Sequence, residues 1–165
     1  MLKQFQGSAG RPRLIDALIS QPLVGDKDLA LAVARRVKLH EIAAGADLIV
    51  QGAHKADLYL ILQGAFSISI GGRVVARKKA GEHVGEMAVV DPNAPRSASV
   101  TALSDSVVGR IAESDFSALA DKFPQLWRRI ALELAGLVRD GNSTRHREKT
   151  GRGRIRPGVS AFIAC

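Results

Sequence analysis

Cysteine is all but missing from this chain: one residue, Cys165, occupies the last position. A single thiol excludes an intrachain disulfide framework and a thiolate metal cage. Long apolar runs are missing as well. The longest covers residues 29–34, far short of a bilayer-spanning helix, and the start lacks the apolar core of a signal peptide. These absences predict a soluble, cytoplasmic protein with no membrane attachment. Metal and nucleophile signatures are also lacking. His40, His54, His83 and His146 are scattered, with no His-x-His or HExxH spacing, and no serine sits in a Gly-x-Ser-x-Gly elbow. Neither a metal site, a cofactor nor a catalytic group is expected within these residues.

What the chain has in excess is positive charge, formally +8 over 165 residues. Seven Lys/Arg against two acids fall in residues 139–156, which alone carry +5. The basicity therefore belongs to a Gly/Ser/Arg segment and not to a folded face. Only seven aromatics occur in the chain and none interleaves with these arginines, so a stacking platform for nucleic acid is not expected.

Hydrophobic periodicity divides the rest. Residues 1–13 read as a disordered N-terminus, and residues 14–140 as one folded domain. Helical spacing runs through residues 14–19 and 26–35, where Asp26 is placed to cap the first turn above Leu29, Val33 and Val37. Short strand-like runs follow, punctuated by Gly45, Gly52 and Gly64. Phe66, Ile68 and Ile70 alternate with Ser67 and Ser69, and Gly71-Gly72 reads as a hairpin turn. Residues 97–103 and 106–111 supply further strands. Helical periodicity then returns, with Phe116 and Leu119 on a short helix opened by Glu113-Ser114-Asp115. A longer helix opens at Pro124, carries a stripe of Leu126, Ile130, Leu134, Leu137 and Val138, and is expected to end at Gly141. Residues 141–158 read as a basic flexible linker and 159–165 as the start of a truncated C-terminal domain. Helices on either side of a block of short strands define an α+β architecture, a jelly-roll-like β-roll flanked by helices.

One stretch concentrates chemistry. Gly85 permits a sharp turn and close backbone approach. A helical turn beginning there points the N–H groups of Glu86, Met87 and Ala88 at an anion. After a turn rich in proline comes Arg96, read here at the start of a strand, a forked donor suited to phosphate. Ser97 and Ser99 add hydroxyls, and Glu86 is an acceptor for a sugar hydroxyl. Phosphate and sugar contacts within a roll describe a nucleotide with one phosphate. The competing reading, a structural ion pair between Glu86 and Arg96, explains neither the small residues beside them nor the turn between them.

Gly85-Glu86-Met87-Ala88 followed by Pro95-Arg96-Ser97-Ala98-Ser99-Val100 resembles the phosphate-binding cassette of cyclic nucleotide-binding domains. Gly45, Gly52, the run from Asp57 to Leu62 and Gly64 resemble that family too, over about residues 20–140. The sequence departs from the family pattern at Val84 and Ala53. The resemblance implies the cyclic nucleotide-binding β-roll, with N-terminal helices and a C-terminal lid and dimerisation helix. It implies that Arg96, Ser97, Ala98, Ser99, Met87 and Ala88 hold the cyclic phosphate of a 3′,5′-cyclic mononucleotide. Gly85 and Glu86 would meet the ribose, with Trp127, Leu134 and Leu137 as candidates for a lid over the base. Trp127 and the apolar stripe read equally as packing residues. The family's lid helices commonly pair between protomers, so a homodimer through residues 124–139 is expected, with higher assembly on ligand binding.

Three function classes follow. The first is a sensor whose ligand acts through the C-terminal helix on an attached effector. The second is a cAMP- or cGMP-responsive transcription regulator of the catabolite-activator type, of which no helix-turn-helix is visible after Val138. The third is an enzyme controlled by the sensor, with its catalytic domain beyond Cys165. Residues 159–165 resemble the opening strand of TIR domains, although Ala164 stands where Ser is usual. A sensor ahead of a TIR domain resembles the layout of Pycsar antiphage effectors. That likeness implies cUMP or cCMP as ligand and NAD degradation by the attached domain.

Overall fold

The computed structural model describes residues 1–150, with side chains described through Arg139. Two four-stranded antiparallel sheets form a roll. Its strands are β1 (Lys38–Ile42), β2 (Asp47–Ile49), β3 (Leu58–Gln63), β4 (Ala65–Ile70), β5 (Arg73–Lys79), β6 (His83–Val84), β7 (Ser99–Ala102) and β8 (Ser106–Ile111). One sheet runs β1-β8-β3-β6 and the other β2-β7-β4-β5. In β4 and β5, Ile70 pairs with Arg73, leaving Gly71 and Gly72 as a two-residue hairpin loop with positive φ at both positions.

β3 is apolar from Leu58 to Leu62 because both of its faces are covered. Tyr59 and Ile61 point between the sheets, where they pack with Phe66, Ile68, Val84, Val100 and Val108. Leu58, Leu60 and Leu62 point outward into a second core shared with the helices. That outer core is built from α1 (Gly7–Ile19), α2 (Lys27–Ala34), α4 (Glu113–Lys122) and α5 (Gln125–Thr150); α3 (Glu86–Val90) belongs to the site. Asp26 caps α2, accepting from the Leu29 amide at 2.9 Å. Phe116 and Leu119 of α4 are buried as their spacing predicts.

Two expectations are corrected. Residues 1–13 are not disordered: a 3-10 turn at Leu2–Phe5 leads into α1. The glycines and Pro12 lower intrinsic helix propensity there, but tertiary packing overrides it. Phe5 and Leu14 are buried in the outer core, and a Cβ on Gly10 would meet the Phe5 carbonyl carbon at 2.6 Å. Nor does α5 stop at Gly141, so residues 141–150 are not a flexible linker. Its backbone stays helical to Thr150, since one interior glycine costs only about 1 kcal/mol and no proline intervenes before Pro157. The remainder of the expected linker and the expected truncated domain at 159–165 lie outside the described residues.

The apolar stripe of α5 is divided. Leu126 and Ile130 are fully buried in the chain's own outer core, with Leu134 packed against it. Leu137 is half-buried and Val138 exposed, as is Leu132 off the stripe. Arg129 fixes the same helix from its polar side, donating from Nη1 to Leu23 O at 3.0 Å and to Val24 O, with Asp26 Oδ2 at 3.6 Å from Nη2. Among the described residues no helix is long and apolar enough to cross a membrane.

Candidate ligand-binding site

β6 pairs with β3, Val84 opposite Tyr59, and delivers the chain to Gly85 at the rim of the roll. Gly85 has φ +92°, the left-handed region, and caps α3. A Cβ here would sit 2.7 Å from Asp57 O and 2.8 Å from Arg96 Nη1. Glycine is thus required twice, for its dihedral and for the approach of Arg96. The Ala88 amide donates to Gly85 O at 3.2 Å.

Arg96 lies three residues before β7 and not at a strand start, because β7 begins at Ser99. Pro95, with no N–H to give, precedes it. The Arg96 main chain is nevertheless clamped on both sides, its N–H donating to Ala53 O and its carbonyl accepting from Gly52 N–H, each at 2.8 Å. Its side chain is buried and donates to two main-chain carbonyls, Asp57 O at 2.6 Å and Gly85 O at 3.4 Å. The structural ion pair with Glu86 is not formed; the fork of Arg96 is spent on carbonyls. Burial pushes the guanidinium pKa down, opposed by Tyr59, Asp57 and Glu86 nearby, and it stays charged.

These residues wall a cavity of about 130 Å³ lined by Ile49, Val84, Gly85, Met87, Ala88, Asp91, Ala94, Pro95, Arg96, Ser97, Ala98 and Val100. Met87, Ala88, Ser97 and Ala98 are therefore brought together with Arg96. Ser99 is placed differently, its Oγ accepting from the Gln51 amide at 2.9 Å. The three lid candidates are on α5, which lines none of this cavity. Trp127 stands edge-on to Phe116 with ring centroids 5.1 Å apart, Leu134 packs on the outer core, and Leu137 is half-buried.

Glu86 is only 3% exposed, and its Oε2 has no hydrogen bond. Burial raises its pKa, with the charges of His83 and Lys78 pulling the other way and Glu133 adding to the rise. His83 Nε2 lies 3.0 Å from Glu133 Oε2 on α5; the imidazole holds the Glu133 carboxyl below its ordinary value. The two groups are in contact, although Nε2 has no aligned hydrogen-bond acceptor.

Asp57 is a site residue to which the sequence reading gave no role. Its carboxylate grips Arg110 with both oxygens, at 2.9 and 3.1 Å, while its carbonyl holds Arg96. The sequence shows an acid ahead of a buried strand, but a role carried by a main-chain carbonyl leaves no side-chain signal. Glu133 was missed for a simpler reason, being one acid on the polar side of an amphipathic helix.

The family model described as the cyclic nucleotide-binding domain matches residues 39–123. The Pycsar effector protein BcPycTIR of Burkholderia cepacia is 42% identical over 136 residues, 82% of this chain and 45% of that protein. XpPycTIR of Xanthomonas perforans, also a Pycsar effector protein, is 38% identical over 143 residues, 86% of this chain and 47% of its own length. The chain thus spans about half the length of these relatives. Among solved structures, the Thermus thermophilus catabolite activator protein superposes with a TM-score of 0.70 at 26% identity, covering 78% of this chain and 63% of that one.

Proposed function

The chain belongs to the cyclic nucleotide-binding domain family, and from that premise we propose that it is the sensor of a Pycsar-type effector, binding a 3′,5′-cyclic mononucleotide. The carrying observation is Arg96, a buried cation whose side chain donates to main-chain carbonyls and touches no carboxylate. Such a charge is costly until an anion reaches it. In this reading the cyclic phosphate supplies that anion. Ser97 and Ala98 with the turn at Met87 and Ala88 complete its cradle, and Gly85 and Glu86 meet the ribose 2′-hydroxyl. Likeness to the two Pycsar effector proteins favours cUMP or cCMP as ligand, and an NAD-degrading TIR domain as the effector acted on through α5. Leu126 and Ile130 are used within the chain, so pairing with α5 of a second copy falls to the end of the stripe, where Val138 is exposed.

The alternative is a cAMP- or cGMP-responsive regulator of the catabolite-activator type, favoured by the shared fold. Calorimetry with the four cyclic mononucleotides decides between them. Binding of cUMP or cCMP is expected. A preference for cAMP or cGMP selects the alternative, and inertness of all four at millimolar concentration removes both.

A further inference from the structure

Arg110 is a cation beside the site that does not line the ligand cavity. It lies in β8 directly opposite Tyr59 of β3, so the two side chains leave the same face of the sheet. Asp57 stands two residues before Tyr59. Arg110 binds its carboxylate twice, Nε to Oδ2 at 2.9 Å and Nη2 to Oδ1 at 3.1 Å. A fork on a carboxylate fixes orientation as well as distance. An exposed ion pair contributes little, but Asp57 is only 8% exposed and its main-chain end is also committed.

That end is the Asp57 carbonyl. It accepts from Arg96 Nη2 at 2.6 Å, while Gly85 O accepts from Arg96 Nη1 at 3.4 Å. The two acceptors are unequal, so the fork of Arg96 is aimed chiefly by Asp57. The packing around it is tight: a Cβ on Gly85 would lie 2.7 Å from Asp57 O and 2.8 Å from Arg96 Nη1. A displaced Asp57 main chain is therefore passed on to Arg96. Arg110, Asp57 and Tyr59 line a separate groove with His40 and Lys55, and that groove shares no residue with the ligand cavity.

We propose that Arg110 is a positioning residue for ligand binding: it orients Asp57, whose carbonyl aims the guanidinium of Arg96. The inference rests on the assignment of the cyclic phosphate to Arg96. The path runs from β8 through the start of β3 to the cassette, and its polar contacts measure 2.6–3.1 Å. Arg110 thus supports anion binding from outside the cavity, without touching the ligand.

Guanidinium NMR of the unliganded protein tests the path without any nucleotide. An arginine held at its Nη groups gives separate, slowly exchanging Nη signals. Arg96 is expected to do so in the wild type. Arg129, held on the carbonyls of Leu23 and Val24, is the internal control. In Arg110→Gln, which keeps a donor and loses the charge and the fork, the Arg96 signals are expected to merge while those of Arg129 persist. Arg96 signals that persist in the variant, or are already merged in the wild type, overturn the proposal. Merging at Arg96 and Arg129 together also overturns it, because that is general loosening. If Arg110→Gln fails to fold, Arg110→Lys keeps the charge facing Asp57 without the fork; faster exchange at Arg96 is expected there, and an unchanged rate overturns. Calorimetry with the four cyclic mononucleotides reads the consequence. Arg110→Gln is expected to weaken binding of the preferred probe about tenfold, and an unchanged affinity overturns the link to the ligand. A wild type inert to all four removes the assignment of Arg96 to phosphate even where the NMR changes appear, so the two failures are told apart.

Discussion

The two charged corners of the site are buried in opposite ways. At the Arg96 corner everything is already in place. The main chain is clamped by Gly52 and Ala53, the guanidinium spans two carbonyls, and Asp57 is itself held by Arg110. At the Glu86 corner one carboxylate oxygen has no hydrogen bond, and His83, three residues earlier, contacts Glu133 on α5. The first corner is preorganised, so binding there loses little in reordering. The second is under-satisfied: Glu86 is not among the residues that line the cavity, and one of its oxygens is buried without a hydrogen bond.

The sharpest way to break this contrast is Arg96→Ala. Loss of the charged partner of a desolvated phosphate is expected to cost ~2–5 kcal/mol of binding, read by calorimetry, with the fold retained because residue 96 remains clamped through its main chain. A variant that binds as tightly as the wild type would move the anion elsewhere.

Gly85→Ala comes next, because it strains the hinge between the corners. The left-handed dihedral costs about 1–2 kcal/mol for a residue with a side chain, and the added carbon meets Asp57 O and Arg96 Nη1 below 3 Å. The melting midpoint should fall by roughly 5–10 °C, with weaker binding because Arg96 is displaced. An unchanged midpoint would show that the turn relaxes freely.

The smallest effect concerns Glu86 alone. Burial raises its pKa in the folded protein, so the folded state binds its proton more readily than the unfolded chain, where the ordinary value is about 4.3. The penalty is absent below that value and grows as pH rises through the folded one. Glu86→Gln should therefore raise the melting midpoint at pH 7 by about a few degrees, and the gain should vanish toward pH 4. A gain that grows on acidification would reverse the assignment of cause.

Much of this was legible in the sequence wherever a signal was local. The Asp26 cap, the Gly71-Gly72 hairpin and the alternation in β4 each depend on residues within a few positions of one another. The failures share the opposite property. Helical residues 1–13 owe their order to Phe5 and Leu14 finding a distant core, and β6 is two residues recognisable only by its pairing with β3. The stripe on α5 could be read, but which half of it the chain covers depends on where α1, α2 and α4 lie. Ser99 has the right residue type and sits beside the cassette, yet its hydroxyl is taken by an amide 48 positions away.

The grip of Arg129 on the α1–α2 connection has a mechanical consequence. It holds α5 near one end, and beyond the anchor Ile130 and Leu134 still pack on the outer core. The helix that continues past Leu134 to Thr150 is 16 residues long, about 24 Å at 1.5 Å per residue. By length alone, a tilt of about 10° at its packed base would sweep the far end through roughly 4 Å. The carbonyls of Leu23 and Val24 tie that base to the connection between α1 and α2.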